Sequence, residues 1–335
     1  MTVYYVDFTA TGTSTGANWA NAIDNWTDFD TLLESTVSAG DSIYMMGGQT
    51  YTSTSTLATV IDGTQNLPIK LIGVASGTTA EPPTVSDWVT GSDRPLIACG
   101  ANAFRLDDYW WMVNLRGTIT EATGFRADVG SYAYNCDFRN TSGTAGRIAL
   151  SMPSANLIVN NQLQSDNGSA IETSTTLARV HSNYIKGSAI GAKFSNSSIF
   201  TFNIFYDCVV GLDGTISDDV YMLGNVFDNC TDGFTASSTE APGTIINCSF
   251  SNCTNGLKLD YSSTNKLNWF LDYNNWYNNT RDISVDNGST EDNSMKGIHD
   301  TAVNPNFTAA ASDDFTLTTG SALRNAGMPL LHGVG

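Results

Sequence analysis

A chain of 335 residues with 33 acidic and only 15 basic side chains, net charge −18, disfavours nucleic acid or an anionic membrane surface as partner. Thr, Ser, Asn, Asp and Gly abound while Lys and Glu number six each, a composition of strands and turns rather than helices. No apolar run approaches membrane-spanning length, so membrane insertion is not expected.

In chain order, Tyr4-Tyr5-Val6-Asp7 reads as a strand. The start lacks the charged and apolar regions of a secretory leader, so no signal peptide is expected in this chain. Thr27 is the expected N-cap of a helix from Asp28 to about Ser38, with Phe29, Leu32, Leu33 and Val37 on one face. Residues 1–40 are then a cap over the first exposed apolar layer. Ser42 to Met46 begins the next strand, Leu67 to Gly73 reads as an early coil, and residues 75–92 form a long, Pro-containing excursion. In Tyr109-Trp110-Trp111, alternation on a strand turns at least one ring outward. Such rings are buried under the excursion, stacked on a sugar, or held between subunits.

From Asn203 to Leu257 the chain repeats itself. Asn203, Asn225 and Asn247 recur every 22 residues, Cys208, Cys230 and Cys253 at 22 and 23, and Gly211, Gly233 and Gly256 each follow a cysteine by three. A fixed period in the low twenties, without helical composition, marks a solenoid of short strands in which like residues stack on like. The fold class is therefore all-β, a parallel β-helix with coils of about 22 residues. The asparagines are expected at left-handed turns, the three glycines at a second positive-φ corner, and Phe205, Phe227 and Phe250 as an internal aromatic stack. Coils are expected over 41–287 and a C-terminal cap over 288–335, the whole as a single domain.

Cys208, Cys230 and Cys253 share one repeat position, and Cys136 and Cys248 another, directly after a turn Asn. Residues at one coil position form a packed ladder, so reduced, buried thiols are expected rather than disulfides or a metal site.

At its two ends the chain resembles right-handed parallel β-helix proteins of the pectin-lyase-like superfamily. The resemblance rests on Tyr4-Tyr5-Val6-Asp7, Trp19-Ala20-Asn21-Ala22, the helix, Ala39-Gly40-Asp41-Ser42-Ile43-Tyr44 and Gly47-Gly48-Gln49-Thr50-Tyr51, and at the other end on Val303 to Phe307 and Gly320 to Gly327. It covers nearly the whole chain. It implies a right-handed β-helix, and an activity class spanning lyases, hydrolases, epimerases, phage tailspikes and non-catalytic surface proteins.

The acidic and Gly-His-Gly set of the hydrolase branch is missing from the sequence, and Asp107-Asp108, Asp218-Asp219 and Asp313-Asp314 read as solvated turns. A lyase needs cations near a uronate carboxylate and a base for the neighbouring proton. Arg179, His181 and Lys186 are the catalytic candidates; alternation points Arg179 and His181 outward together. Tyr109, Trp110, Trp111 and Lys193 are the glycan-binding candidates. Calcium enters only on the lyase reading, where Asp166 and Glu172 are the nearby carboxylates; otherwise no cofactor is expected.

Three readings follow. The first is a virion-associated or extracellular fibre- or spike-like protein that recognises surface polysaccharide, as a homotrimer or with other virion proteins. The second is a secreted polysaccharide lyase or glycoside hydrolase with an outward-facing site. The third is a purely structural rod.

Overall fold

The computed structural model describes residues 1–89, 91–154, 156–174, 177–195, 197–214, 219–237, 243–259, 269–285 and 289–328. It is an all-β solenoid of parallel sheets, in two compact units, residues 1–193 and 194–335. Among the described residues no helix is long and apolar enough to cross a membrane.

In the first unit each coil contributes one strand to each of three sheets. The first sheet runs Val3–Val6, Ser42–Met46, Ile69–Val74, Trp110–Val113, Tyr132–Tyr134, Leu157–Val159 and Ala178–His181. The second runs Thr50–Thr52, Leu96–Gly100, Arg116–Ile119, Asp137–Asn140, Gln162–Ser165 and Tyr184–Lys186. The third runs Leu57–Ala58, Phe104–Leu106, Phe125–Ala127, Ile148–Ser151 and Ser169–Thr173. Register is strict because a one-residue slip would turn the apolar set outward. Ile43, Leu71, Met112, Ala133, Ile158 and Val180 form one buried column on the first sheet. Phe104, Phe125, Leu150 and Ile171 form another on the third.

The helix of the N-terminal cap spans Trp26–Thr31 and continues as a π turn, Leu32–Thr36. Its cap is Asn25, not Thr27: the Asn25 carboxamide oxygen accepts from the Asp28 amide at 2.9 Å. Starting the helix two residues earlier buries Trp26 as well as Phe29, Leu32 and Leu33, which favours the earlier cap.

In the second unit the sheets run Ser198–Thr201, Val220–Leu223, Gly243–Ile246, Trp269–Asp272; Ile204–Tyr206, Val226–Asp228, Ser249–Ser251, Asn275–Tyr277; and Val210–Gly214, Asp232–Ala236, Asn255–Leu259, Arg281–Val285. Thr290–Glu291 pairs antiparallel with the last of these, and the hairpin Phe307–Ala309/Asp314–Leu317 packs Phe315 on Tyr206, ring centroids 5.2 Å apart. The expected aromatic stack is present and one ring longer: Phe205, Phe227, Phe250 and Trp276 lie face to face at 4.7, 4.8 and 4.6 Å.

Two turn expectations are corrected. The left-handed residues of the first corner are Phe202, Gly224, Asn247 and Tyr273, so Asn203 and Asn225 sit one place later and point inward. There the Asn225 oxygen accepts from the Asn203 amide nitrogen (2.9 Å) and carboxamide (3.0 Å), while Asn225 Nδ2 donates to the Phe200 carbonyl at 2.8 Å. Asn161 and Asn183 do the same in the first unit. Cys248 takes this position in the next coil, its sulfur accepting from the Asn225 amide, and Asn274 follows, its oxygen accepting from the Cys248 amide. A buried turn leaves backbone groups with no strand to pair them, and the inward Asn satisfies them.

The second corner takes its positive φ from Asp207, Asn229, Asn252 and Asn278, not from the glycines. Gly211, Gly233 and Gly256 lie inside strands, where a β-carbon at Gly233 would come within 2.5 Å of the Gly256 carbonyl oxygen. Their role is to let the rings lie flat against the sheet.

All six cysteines are free and buried, as the ladder reading requires. Burial pushes the thiols of Cys99, Cys136 and Cys248 up to about 12.

Candidate functional site

Six of the seven side chains singled out from the sequence fall on three sheets, and Tyr109 holds the left-handed turn just before the strand Trp110–Val113. Arg179 and His181 share the outward side of the first sheet, aligned with Leu157 and Val159. The turn after His181 carries the chain onto the second sheet, where Lys186 ends the strand Tyr184–Lys186. Lys193 is exposed in Ile190–Phe194 of the third sheet. Trp110 points inward, fully buried, and its indole Nε1 donates to the Ile61 carbonyl at 2.9 Å. Tyr109 and Trp111 line a groove of about 460 Å³ on the first sheet with Tyr132, Leu157 and Pro68. Trp111 meets Tyr132 edge-on at 5.6 Å and carries the Lys70 ammonium 5.2 Å above its ring. It also packs on the outward cluster of Ile72, Val74 and Val113, as does Trp88 from the excursion. Burial accounts for Trp110, and Trp111 is left half-covered.

Lys186 leads to a constellation that sequence reasoning missed. On the outward side of the second sheet, one column reads Leu96, Arg116, Asp137 and Gln162, and the next reads Thr118, Arg139 and Gln164. With Lys186 they line a groove of about 260 Å³. A smaller hollow shares Arg116, Asp137 and Gln162 and adds Arg94, Ser92 and Gly91 from the end of the excursion. Arg116 stands 3.7 Å from Asp137 and donates to the Ser92 carbonyl at 3.1 Å. Arg139 grips Asp166 through Nε and Nη2, and Arg94 donates to Asn135 at 3.1 Å. Burial lowers the Arg94 guanidinium pKa. Burial also raises the Asp137 carboxyl, against the opposing pull of Arg116, Arg94 and Arg139.

Four cations thus converge with two carboxylates on one face of a chain that has only 15 bases. Such a face attracts anions against the field of the rest of the molecule. Gln162 and Gln164 add neutral donors and acceptors of the kind that read hydroxyl groups.

Calcium does not fit this groove: Asp137 faces Arg116 and Asp166 is held by Arg139. Glu172, the other carboxylate named for calcium, lies on the third sheet beside Ser151. Among the described residues, a compact carboxylate set forms elsewhere, at Asp62, Asp107 and Asp108, with ligand oxygens within 4.8 Å of one another. Asp107 there is raised by burial and by Asp62, Asp108 and Asp128. Asp313 is a left-handed hairpin residue, and Asp314 accepts from the Thr316 amide at 3.0 Å, a local turn. Asp218 lies outside the described residues.

No family model matches the sequence, and none of the curated proteins does. Among solved structures, the chain is similar to "Crystal structure of pectate lyase Pel9A" at 14% identity, covering 99% of this chain and 93% of that one, with TM-score 0.55. It is also similar to "Structure of PL6 family alginate lyase AlyGC" at 12% identity, covering 83% of this chain and 50% of that one, with TM-score 0.51. At such identities the likeness is one of architecture: this chain has the parallel β-helix fold.

Proposed function

We propose that the protein acts on an acidic polysaccharide, cleaving it by β-elimination in the groove of Arg116, Asp137, Arg139 and Lys186. The observation that carries this reading is the gathering of scarce cations on one outward face, with a carboxyl whose protonated form burial favours. Uronate chains offer one carboxylate per sugar, matched to guanidinium groups two residues apart on neighbouring strands. Two proteins of the same architecture are a pectate lyase and an alginate lyase, and pectate and alginate are both polyuronates.

In this mechanism Arg116 and Arg139 bind the uronate carboxylate and draw charge off it as C5 loses its proton. Lys186, once it has released its own proton to solvent, accepts the C5 proton. The electron pair forms the C4–C5 double bond as the C4–O bond breaks, and the Asp137 carboxyl returns a proton to the departing oxygen. Gln162 and Gln164 orient the ring through its hydroxyl groups.

The test is incubation with pectate, alginate and a neutral glucan, read by the ultraviolet absorbance of the unsaturated product. Product is expected from a polyuronate only, and Lys186→Met should lower the rate by at least about 10²-fold. Absence of unsaturated product from every polyuronate, or full activity in Lys186→Met, sinks the reading.

A second reading is favoured by the Tyr109–Trp111–Tyr132 groove: recognition of a neutral glycan by ring stacking, as in a fibre- or spike-like protein. Binding there would be nearly indifferent to salt and lost in Trp111→Ala, whereas binding to the basic groove weakens as salt rises.

A further inference from the structure

Within the second unit a separate cavity of about 180 Å³ lies between the outward side of the second sheet and the C-terminal hairpin. At a liquid share of ~30 Å³ per water this is room for about six waters, or one sugar ring. Its floor is Val226, Ser249 and Asn275, and its roof is Phe307, Phe315 and Leu323. The wall holds Tyr273 and His299.

His299 is built into place. Its Nδ1 lies 2.9 Å from Asp272 Oδ2, its own amide donates to Asp272 Oδ1 at 3.0 Å, and its ring stacks on Tyr273 with centroids 4.3 Å apart. The Asp272 carboxyl is held below its usual range chiefly by hydrogen bonds from His299, against the effect of burial. An ionised carboxylate only accepts, so Nδ1 carries hydrogen and Nε2 is the nitrogen left for a ligand. Base, orienting carboxylate and an aromatic-walled hollow with polar groups are the marks of a binding site. The nearby Asp300 is already committed, accepting from Trp276 Nε1 at 2.8 Å and from the Asn274 amide at 2.7 Å. The hairpin brings no charged side chain to the lining.

We infer that this cavity binds a single hexuronate ring, its carboxylate on Nε2 of protonated His299 and its apolar face against Phe307 and Phe315. The choice of a uronate rests on the lyase reading of the groove in the first unit. Ser249 and Thr301 contribute hydroxyl groups to the ring's own. With Nδ1 held by Asp272, the uronate carboxylate takes the Nε2 hydrogen of the imidazolium.

The experiment uses the full chain and three probes, galacturonate, mannuronate and galactose, with calorimetry and the His299 ring resonances as readouts. A uronate is expected to bind and galactose not. His299→Gln should abolish binding without lowering the melting temperature, and Asp272→Asn should weaken it. The measurement is repeated in Lys186→Met, so that loss of cleavage and loss of binding are read separately. Uronate binding unchanged in His299→Gln, or His299 resonances unmoved by either uronate, overturns the inference.

Discussion

Gly233 lies so close under Phe250 that a β-carbon there would stand 2.9 Å from the ring's Cδ1, and Gly211 repeats the relation with Phe227 at 2.8 Å. Gly233→Ala must therefore displace both a ring and the Gly256 carbonyl. Its expected cost is about 1–3 kcal/mol. Phe227→Ala, which opens a gap in the middle of the stack, should cost about 3–5 kcal/mol. Denaturant titration measures both, and a neutral Gly233→Ala would show that the stack is looser than its spacing implies.

The inward asparagines should be worth more than their size. Asn225→Ala removes the acceptor of the Asn203 amide and a donor to the Phe200 carbonyl. A loss of about 1–3 kcal/mol is expected for each group stranded in the interior. The same change at Asn278, an exposed left-handed residue, should cost far less; equal losses at the two sites would refute the distinction.

Cysteine chemistry follows from burial. The native protein should resist alkylation at neutral pH and yield six modified thiols once denatured. Cys99, Cys136 and Cys248 keep their protons in the folded state up to about 12. Above the ordinary thiol range the unfolded chain therefore releases protons that the native chain holds, and stability falls as pH rises from about 8.5. Cys230→Ala should cost about 1–2 kcal/mol, whereas Cys230→Asp should unfold the surrounding coils. Fewer than six thiols after denaturation under reducing-free conditions would reveal a disulfide.

At the Asp62–Asp107–Asp108 corner the sign is opposite to that of a salt-bridged acid. The raised Asp107 carboxyl binds its proton more tightly folded than unfolded. Stability is lost as pH rises through the interval above the ordinary Asp range, and the repulsion persists at neutral pH. Asp107→Asn should therefore raise the melting temperature at pH 7 and change little at pH 3. A lower melting temperature at pH 7 would mean that the carboxylate is making favourable contacts.

The fold was legible because stacking prints itself on the sequence: Phe205, Phe227 and Phe250 lie at the coil period because they touch. The Asn frame slipped by one because Asn suits both the left-handed turn, as at Asn247, and the inward position beside it, as at Asn225. The glycine role was misread for a similar reason, since tolerance of positive φ and absence of a β-carbon are the same residue. The groove was hidden because Arg116, Asp137 and Gln162 are neighbours only after coils of unequal length are stacked in register. His299 belongs to no repeat, and its partner Asp272 lies in another element, so no local spacing announced the pair.

The asparagine ladder also gives the coil stack a direction. Cys136 donates to Asn161, Asn161 to Asn183, Asn203 to Asn225, and Cys248 to Asn274. Each turn is completed by the one that follows it in synthesis, so a growing end always carries an open donor. In the second unit the series ends when the Asn274 amide finds Asp300 Oδ1, an acceptor from outside the repeats. Asp300 thus works as a terminator, and shortening the chain before it reopens the last turn. Asp300→Ala should speed amide exchange at Asn274 well before Asn225 is affected, while Asp300→Asn, which keeps an acceptor, should preserve both.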